Sequence, residues 1–238
     1  MPASNPTFKV PKVALVMGKL IVDGEDRGSR LFIVPICNEA GEMYKGVVST
    51  RLPTRSGTTP LDFSMTSFNN VHLPFTALVS SDPYDWSKPA NPLSAWWDEV
   101  WRIQLGTMAV PGPWIAATKA AAYIGGKYSL HRAILGKSTE PTPIISFRTQ
   151  QWPVIHALSV AEVMDKWFDP AVQYAMSPGV DHKVRHAFSV IIKATVCRHW
   201  QRVGPDVNER TGAIGTFEPN YLIRIEVCLR IAGGGCLC

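Results

Sequence analysis

Two histidines have the spacing of a metal-binding pair. His182 and His186 are four residues apart in a segment of helical periodicity, so both imidazoles fall on one helix face, as in many zinc sites. No glutamate stands between them in the metalloprotease pattern, and no third ligand is evident. The sequence therefore favours a solvated polar face over a metal site. A serine hydrolase is not indicated either, because the chain has no G-x-S-x-G turn.

Charge and cysteine content narrow the function classes further. The 238 residues carry a formal net charge of +5 and five cysteines. The odd cysteine count argues against a disulfide framework, and the group of Cys228, Cys236 and Cys238 has no histidine nearby to complete a metal site. The basic stretch at 193–202 has too few aromatic side chains for base stacking, so we expect no nucleic-acid partner. A pI near 9.0 still suits an anionic ligand such as a nucleotide phosphate.

The segment 210–215, Arg-Thr-Gly-Ala-Ile-Gly, is a candidate phosphate contact. Glycine allows a backbone to approach a phosphate closely and to present its N–H groups. The segment is neither a P-loop nor a G-x-G-x-x-G turn, and taken alone it is typical of an ordinary loop. Its assignment therefore depends on the segments that surround it.

Two kinds of structure must position these residues. The first half alternates apolar and polar residues between turn signals, which predicts strands, and the second half has apolar residues at helical spacing. The Asp23-Gly24 pair predicts a hairpin turn, and Ser94 is the predicted N-cap of the first helix. We predict strands at 13–22, 31–36 and 46–49, an extended stretch at 61–73, and helices at 94–110, 114–135, 143–167 and 181–203.

The predicted fold class is α+β, with a sheet domain followed by a helical bundle. The most apolar stretch, 108–123, is interrupted by Pro111, Pro113 and Lys119, so no membrane span is expected. No secretory leader is evident, and we expect a soluble intracellular protein without a membrane partner. The predicted domains are a partial sheet domain at 1–80, a linker at 81–92, a helical domain at 93–230 and a divergent tail at 231–238.

Several segments in order carry a family resemblance that covers about residues 13–230. The helical half contains Lys-Tyr-Ser-Leu-His-Arg at 127–132, similar to an R-Y-S-x-x-R motif, and the Pro-Ile to Thr-Gln-Gln run at 143–151. The segment 210–215 with Asn220 is similar to an (R/A)-C-G-G-x-G…N loop. The sheet half contributes matches at 32–35, 46–47, 55–61 and 68–74. Together they resemble the acyl-CoA oxidase and acyl-CoA dehydrogenase superfamily, and most closely the peroxisomal-type oxidases of fungi and plants.

The resemblance implies a partial middle β-domain and a C-terminal helical domain that binds FAD and dimerises. It further implies that Arg132 reaches the FAD pyrophosphate and that Gln151 lies in the same cofactor-facing helix pair. The loop that lies against the diphosphate, usually from a neighbouring subunit, corresponds to Gly212, Ala213 and Gly215. The stretch bordering the acyl-CoA and flavin corresponds to Arg55 and Thr58.

The chain departs from the family pattern at several positions. Lys127 replaces the first arginine of the R-Y-S motif, and Thr211 replaces the usual cysteine of the glycine loop. Gly233 stands at about the position of the family's catalytic glutamate, and Glu226 is the last glutamate of the chain. The family's N-terminal helical domain has no counterpart here. We therefore expect a chain shortened at both ends, with no assigned catalytic residue.

Two functional interpretations follow. In the first, the chain is an acyl-CoA oxidase or dehydrogenase-type flavoprotein that uses FAD for α,β-dehydrogenation of an acyl-CoA thioester, in fatty-acid β-oxidation or secondary-metabolite biosynthesis. In the second, it is a catalytically inactive paralogue that acts as a structural or interaction module. A homodimer or larger oligomer is expected in either case.

The resemblance implies a peroxisomal location, although the final Cys236-Leu237-Cys238 is not a peroxisomal signal. If the protein is not peroxisomal, we expect it to be cytoplasmic.

Overall fold

The computed structural model describes residues 10–53, 63–80, 82, 84–136, 139–217, 219, 220 and 222. Antiparallel strands occupy the first half of the described chain and long helices the second, which confirms the predicted α+β class. The described residues fall into two compact units that divide after residue 102, within the first helix. Within these residues, no helix combines the length and the apolar composition that a membrane crossing requires.

The first unit is built from two hairpins. Strands β1 (Lys12–Val22) and β2 (Glu25–Cys37) pair antiparallel, joined through the predicted turn, in which Asp23 and Gly24 have φ of 53° and 78°. Two positive φ values in a row match the twist of a two-residue hairpin. Strands β3 (Val47–Arg51) and β4 (Ser64–Phe68) form the second pair. Among the described residues 63–73 of the predicted extended stretch, this strand ends at Phe68.

A small core joins the two hairpins. Ala14, Ile36, Cys37 and Val47 form one buried cluster. Gly46 has a φ of +86°, and a Cβ there would collide with the carbonyl oxygen of Asn69. This close approach explains why the chain has a glycine immediately before β3.

The second unit is a helical bundle with a short hairpin. Three helices share its main core, in which the side chains of Ala121, Ala157, Trp200, Val203 and Val207 are almost wholly buried. The helices are α1 (Pro92–Ala109), which crosses the unit boundary, α2 (Pro111–His131), α3 (Arg148–Met176) and α4 (His182–Glu209). The hairpin strands are β5 (Ala133–Leu135) and β6 (Pro141–Pro143).

The core explains two sequence features. The alanine-rich face of α2 serves close packing inside the bundle, where Ala117, Ala121 and Ala122 are buried. Gly125 is required by packing, since a Cβ there would lie 2.5 Å from the Val207 side chain. The glycine therefore lets α2 and α4 approach closely, at a cost in helix propensity of about 1 kcal/mol relative to alanine.

Helix boundaries are where the sequence predictions were wrong. Helix α2 stops at His131 rather than at 135, because residues 133–135 pair with 141–143 instead. Helix α3 starts at Arg148 rather than 143 and runs to Met176 with Pro153 and Pro170 inside it. Helix α4 likewise continues through Pro205 to Glu209. Tertiary packing thus overrides the proline signals, which weaken a helix without always ending it.

The N-cap of α1 was also predicted wrongly. The side-chain oxygen of Asn91, rather than that of Ser94, caps the helix, accepting hydrogen bonds of 3.1 Å from the backbone N–H groups of both Leu93 and Ser94. Pro92 occupies the first helical position, where its missing N–H costs no hydrogen bond.

Candidate functional site

Arg132 lies where α2 gives way to β5. Its backbone N–H donates to the Tyr128 carbonyl and its carbonyl accepts from the Ile144 N–H, both at 2.8 Å. The backbone is therefore fixed from two sides, while the side chain is exposed. No described residue forms a hydrogen bond or ion pair with the guanidinium, so this group is available to a ligand.

The glycine loop follows α4 directly. After Thr211 the chain makes a short 3₁₀ helix, Gly212–Thr216. Gly212 has a φ of +65° with nothing within 4 Å of the position a Cβ would take. Gly215 is buried, and a Cβ there would lie 2.9 Å from the Thr211 hydroxyl and 3.0 Å from the Asn208 carbonyl. The two glycines therefore act differently: Gly212 keeps a surface open, and Gly215 allows the loop to fold tightly.

Side-chain hydrogen bonds hold this loop in one shape. The Asn208 amide donates to the Gly215 carbonyl at 3.3 Å, and the Thr211 hydroxyl donates to the Asn208 carbonyl at 2.7 Å. The Asn220 amide donates to Ile214 and to the Asn208 side chain at 3.3 and 3.2 Å. Asn220, part of the sequence motif, thus ties the end of the loop to its beginning.

A buried polar network connects the loop to α2 and α3. The Gln150 amide donates to the Ser129 hydroxyl at 2.8 Å and to the Arg210 carbonyl at 2.9 Å. The Ser129 hydroxyl in turn donates to the Gly125 carbonyl at 2.6 Å. Ser129 is fully buried and Gln150 nearly so, which makes these bonds costly to break. The network fixes the end of α4 relative to the helix that carries Arg132.

The fixed elements enclose a pocket of about 390 Å³. Arg132 and the glycine loop, which are far apart in sequence, line the same pocket, and Arg210 lines it as well. The lining residues contain two guanidinium groups and no carboxylate. The complete lining is Tyr128, Arg132, Ile144, Arg210, Thr211, Gly212, Ala213 and Ile214.

The predicted site residues separate into three groups. Arg132, Gly212 and Ala213 line the pocket, and Gly215 supports the loop from a buried position. Gln151 is half-buried on α3 and is not among the lining residues, whereas its neighbour Gln150 holds the loop. Arg55 and Thr58, like Glu226 and Gly233, lie outside the described residues.

Sequence reasoning missed Gln150 and Ser129. Both stand inside the quoted motifs, Ser129 in Lys-Tyr-Ser and Gln150 in Thr-Gln-Gln. A polar residue at a core position of an otherwise apolar helix face is the signal that could have found them.

The pocket suits a phosphate group. Arginine presents a planar donor fork that matches phosphate oxygens, and the fork of Arg132 has no described partner to displace. The open space at Gly212 leaves room for the anion to reach the backbone. The residues present therefore fit the diphosphate of FAD, the group that the resemblance implies here.

Histidine chemistry lies elsewhere. Burial in the helical unit, with smaller contributions from the neighbouring Arg202 and His156 charges, lowers the pKa of His199. His199 is not a pocket residue. Among the described residues there is no cluster of three or more side chains suited to hold a metal ion.

Two curated relatives support the resemblance, although no protein-family model matches the chain. The chain is 26% identical over 155 residues to the acyl-coenzyme A oxidase-like protein of Mus musculus, covering 62% of this chain and 24% of that protein. It is 24% identical over 157 residues to the acyl-coenzyme A oxidase of Eremothecium gossypii, covering 63% and 21%. The matches thus span less than a quarter of either relative.

Solved structures share the fold over most of the described chain. Acyl-CoA oxidase 1 of Arabidopsis thaliana matches with a TM-score of 0.72 at 18% identity, over 94% of this chain and 36% of that one. Acyl-CoA oxidase-1 of Caenorhabditis elegans, complexed with FAD and ATP, matches at 0.70 and 18%, over 94% and 34%. A Mycobacterium abscessus protein described as a probable acyl CoA dehydrogenase matches at 0.72 and 15%, over 94% and 53%. The chain therefore has the acyl-CoA oxidase and dehydrogenase fold over the part it spans, which confirms the predicted resemblance.

Proposed function

We propose that the chain binds FAD as part of an acyl-CoA oxidase-type flavoprotein. One observation carries the proposal: Arg132 and the 212–213 backbone, the two elements that the resemblance assigns to the FAD diphosphate, line a single pocket. The relatives' names and the shared fold support the same interpretation. The C. elegans neighbour complexed with FAD supports flavin as the cofactor.

Each side of the pocket has its own task in this proposal. Arg132 pairs its guanidinium with phosphate oxygens, because a charged bidentate contact is stronger than a neutral hydrogen bond. Gly212 leaves the backbone accessible, and Gln150 keeps the two sides at a constant separation. When bound, FAD supplies a hydride acceptor for α,β-dehydrogenation of an acyl-CoA thioester.

The proposal includes a homodimer. Helix α3 carries an exposed apolar stripe at helical spacing, with Trp152 69% and Val163 63% exposed and Ile155 between them. Apolar stripes of this kind are typical of surfaces that associate. A second copy of the chain is the partner that family resemblance implies.

The proposal also includes a peroxisomal location and a role in β-oxidation or secondary metabolism, both of which follow from the same resemblance.

A second candidate function is a catalytically inactive interaction module. It is favoured by Gly233, which stands near the expected position of the family's glutamate base. A positioned base typically contributes about 10²–10⁴-fold to proton abstraction. We therefore expect FAD binding without robust acyl-CoA oxidation by this chain.

Flavin retention and turnover separate the candidates. The 238-residue chain is mixed with FAD or riboflavin, passed over a desalting column and read by flavin absorbance, and then assayed for peroxide with saturated acyl-CoAs. Retention of FAD but not riboflavin, with no peroxide, is the expected result. Robust turnover would contradict the inactive module, and failure to retain FAD would contradict the flavoprotein.

A further inference from the structure

The hairpin unit contains a pocket of its own, which the proposed function does not use. This hairpin pocket has a volume of about 390 Å³ and lies between the turn end of the β1–β2 hairpin and the segment 73–78. Its described lining consists of ten apolar residues and Asp23. A cavity of this size with an apolar lining and few polar groups is typical of sites for small organic ligands.

Three of the lining side chains are aromatic. They are Phe32 on β2, Phe75 and Trp86. The rings of Phe75 and Trp86 pack against each other with their centroids 5.4 Å apart, which holds both rings in place. Phe75 is nevertheless 63% exposed, so a ligand can reach its ring. The face of an aromatic ring attracts cations as well as apolar groups.

Asp23 is the one charged residue among the described residues of the lining. Its side chain is exposed, and within the described part of the chain its carboxylate has no ion-pair partner. The two other carboxylates at this end of the hairpin are paired, Asp26 with Lys19 at 2.8 Å and Glu25 with Arg27 at 3.1 Å. The hairpin pocket therefore carries a negative charge that the described chain does not neutralise.

We infer that the hairpin pocket binds an organic cation with an apolar tail, such as an alkylammonium ion. The tail is removed from water by the apolar lining, and the ammonium group is attracted by the Asp23 carboxylate and by the aromatic rings. The pocket of the helical unit has the opposite character, with two arginines and no carboxylate in its described lining. The hairpin pocket thus selects a ligand of opposite charge to FAD and acyl-CoA, and the inference is independent of the proposed function.

Calorimetric titration of the full 238-residue chain tests the inference with three probes. Octyltrimethylammonium carries both the tail and the charge, 1-octanol carries the tail alone, and tetramethylammonium carries the charge alone. All three are used below the concentration at which octyltrimethylammonium forms micelles. We expect wild type to bind octyltrimethylammonium about 3–30-fold more tightly than 1-octanol, the combined range for one exposed ion pair and one cation–π contact. Tetramethylammonium should bind most weakly, because it buries no tail.

Three variants locate the binding. Asp23→Asn should weaken octyltrimethylammonium binding by about 2–5-fold and leave 1-octanol binding unchanged. Asn-Gly forms the same hairpin turn as Asp-Gly, so this variant keeps the fold. Phe75→Leu should weaken binding of the cation by about 2–5-fold and affect 1-octanol less, since leucine keeps the surface apolar. Asp26→Asn is the matched control, because it removes the same charge from a residue outside the lining, and it should bind like wild type.

Several results would overturn the inference. Equal affinity of wild type for octyltrimethylammonium and 1-octanol would show a pocket that recognises only the tail. Equal affinity of wild type and Asp23→Asn for the cation, or the same loss with Asp26→Asn, would show that Asp23 does not hold it. If Asp23→Asn does not fold, Phe75→Leu decides, and an unchanged affinity of that variant for the cation would contradict binding in this pocket.

Discussion

The helical unit has a larger buried core than the hairpin unit, although both expose some apolar side chains. In the helical unit Trp200 and Val207 are completely inaccessible to solvent. In the hairpin unit, Val13 and Met65 are 59% and 68% exposed despite lying in strands. Two-stranded hairpins are marginal on their own, whereas a packed three-helix core is self-supporting. The candidate pocket therefore lies in the unit that has the larger buried core.

The largest expected effect comes from the helical core. Trp200→Ala should lower the free energy of unfolding by about 3–5 kcal/mol, because it opens a cavity in the centre of the bundle. Met65→Ala in β4 should change it by less than about 0.5 kcal/mol, since the side chain is already in water. Denaturant unfolding followed by helical circular dichroism measures both. Equal losses in the free energy of unfolding for the two substitutions would contradict the difference in burial between Trp200 and Met65.

The sequence predicted the hairpin unit and the helical bundle unequally. The turn at Asp23-Gly24 was predictable because its signal is local, and the four helices were predictable from their periodicity. The end of α2 at His131 was not, because it depends on pairing between strands that a loop separates. The contacts among α2, α3 and α4 also join residues that are far apart in sequence, so no local pattern predicts which side chains meet.

In the candidate site, too, local sequence signals were predictive and non-local packing was not. The resemblance predicted Arg132, the glycine loop and Gln151 as cofactor contacts, and it gave no role to Gln150. Adjacent residues point about 100° apart around a helix, so the orientation of α3 decides which glutamine meets Ser129. That orientation is set by the core and not by the motif.

A pair of substitutions on α3 tests which of its two adjacent glutamines supports the glycine loop. Gln150→Leu should destabilise the chain by about 1–3 kcal/mol and weaken FAD binding, because it removes the amide that donates to the buried Ser129 hydroxyl and to the Arg210 carbonyl. Gln151→Leu is the matched control and should have a smaller effect on stability. Thermal unfolding and FAD titration of both variants give the measurement. A larger loss of stability with Gln151→Leu than with Gln150→Leu would contradict the role of Gln150 in the buried network.

The smallest expected effect is a pH dependence of the helical unit. Because the pKa of His199 is lowered in the folded state, the unfolded chain binds more protons near its ordinary pKa of about 6.5. The contribution of His199 to stability is therefore present above that value and is lost as the pH falls through it. His199→Gln should flatten the pH profile of unfolding between about pH 7 and 5. An unchanged profile would show that His199 is not the cause.

A fluorescence titration of FAD shows whether Arg132 holds the diphosphate of the cofactor. Wild type, Arg132→Ala and the pocket-distant Arg198→Ala are titrated under identical salt. Arg132→Ala should bind FAD more weakly by about 1.5–3 kcal/mol, the contribution of a charged hydrogen bond, while Arg198→Ala binds like wild type. Equal affinity of wild type and Arg132→Ala for FAD would contradict the assignment of this pocket.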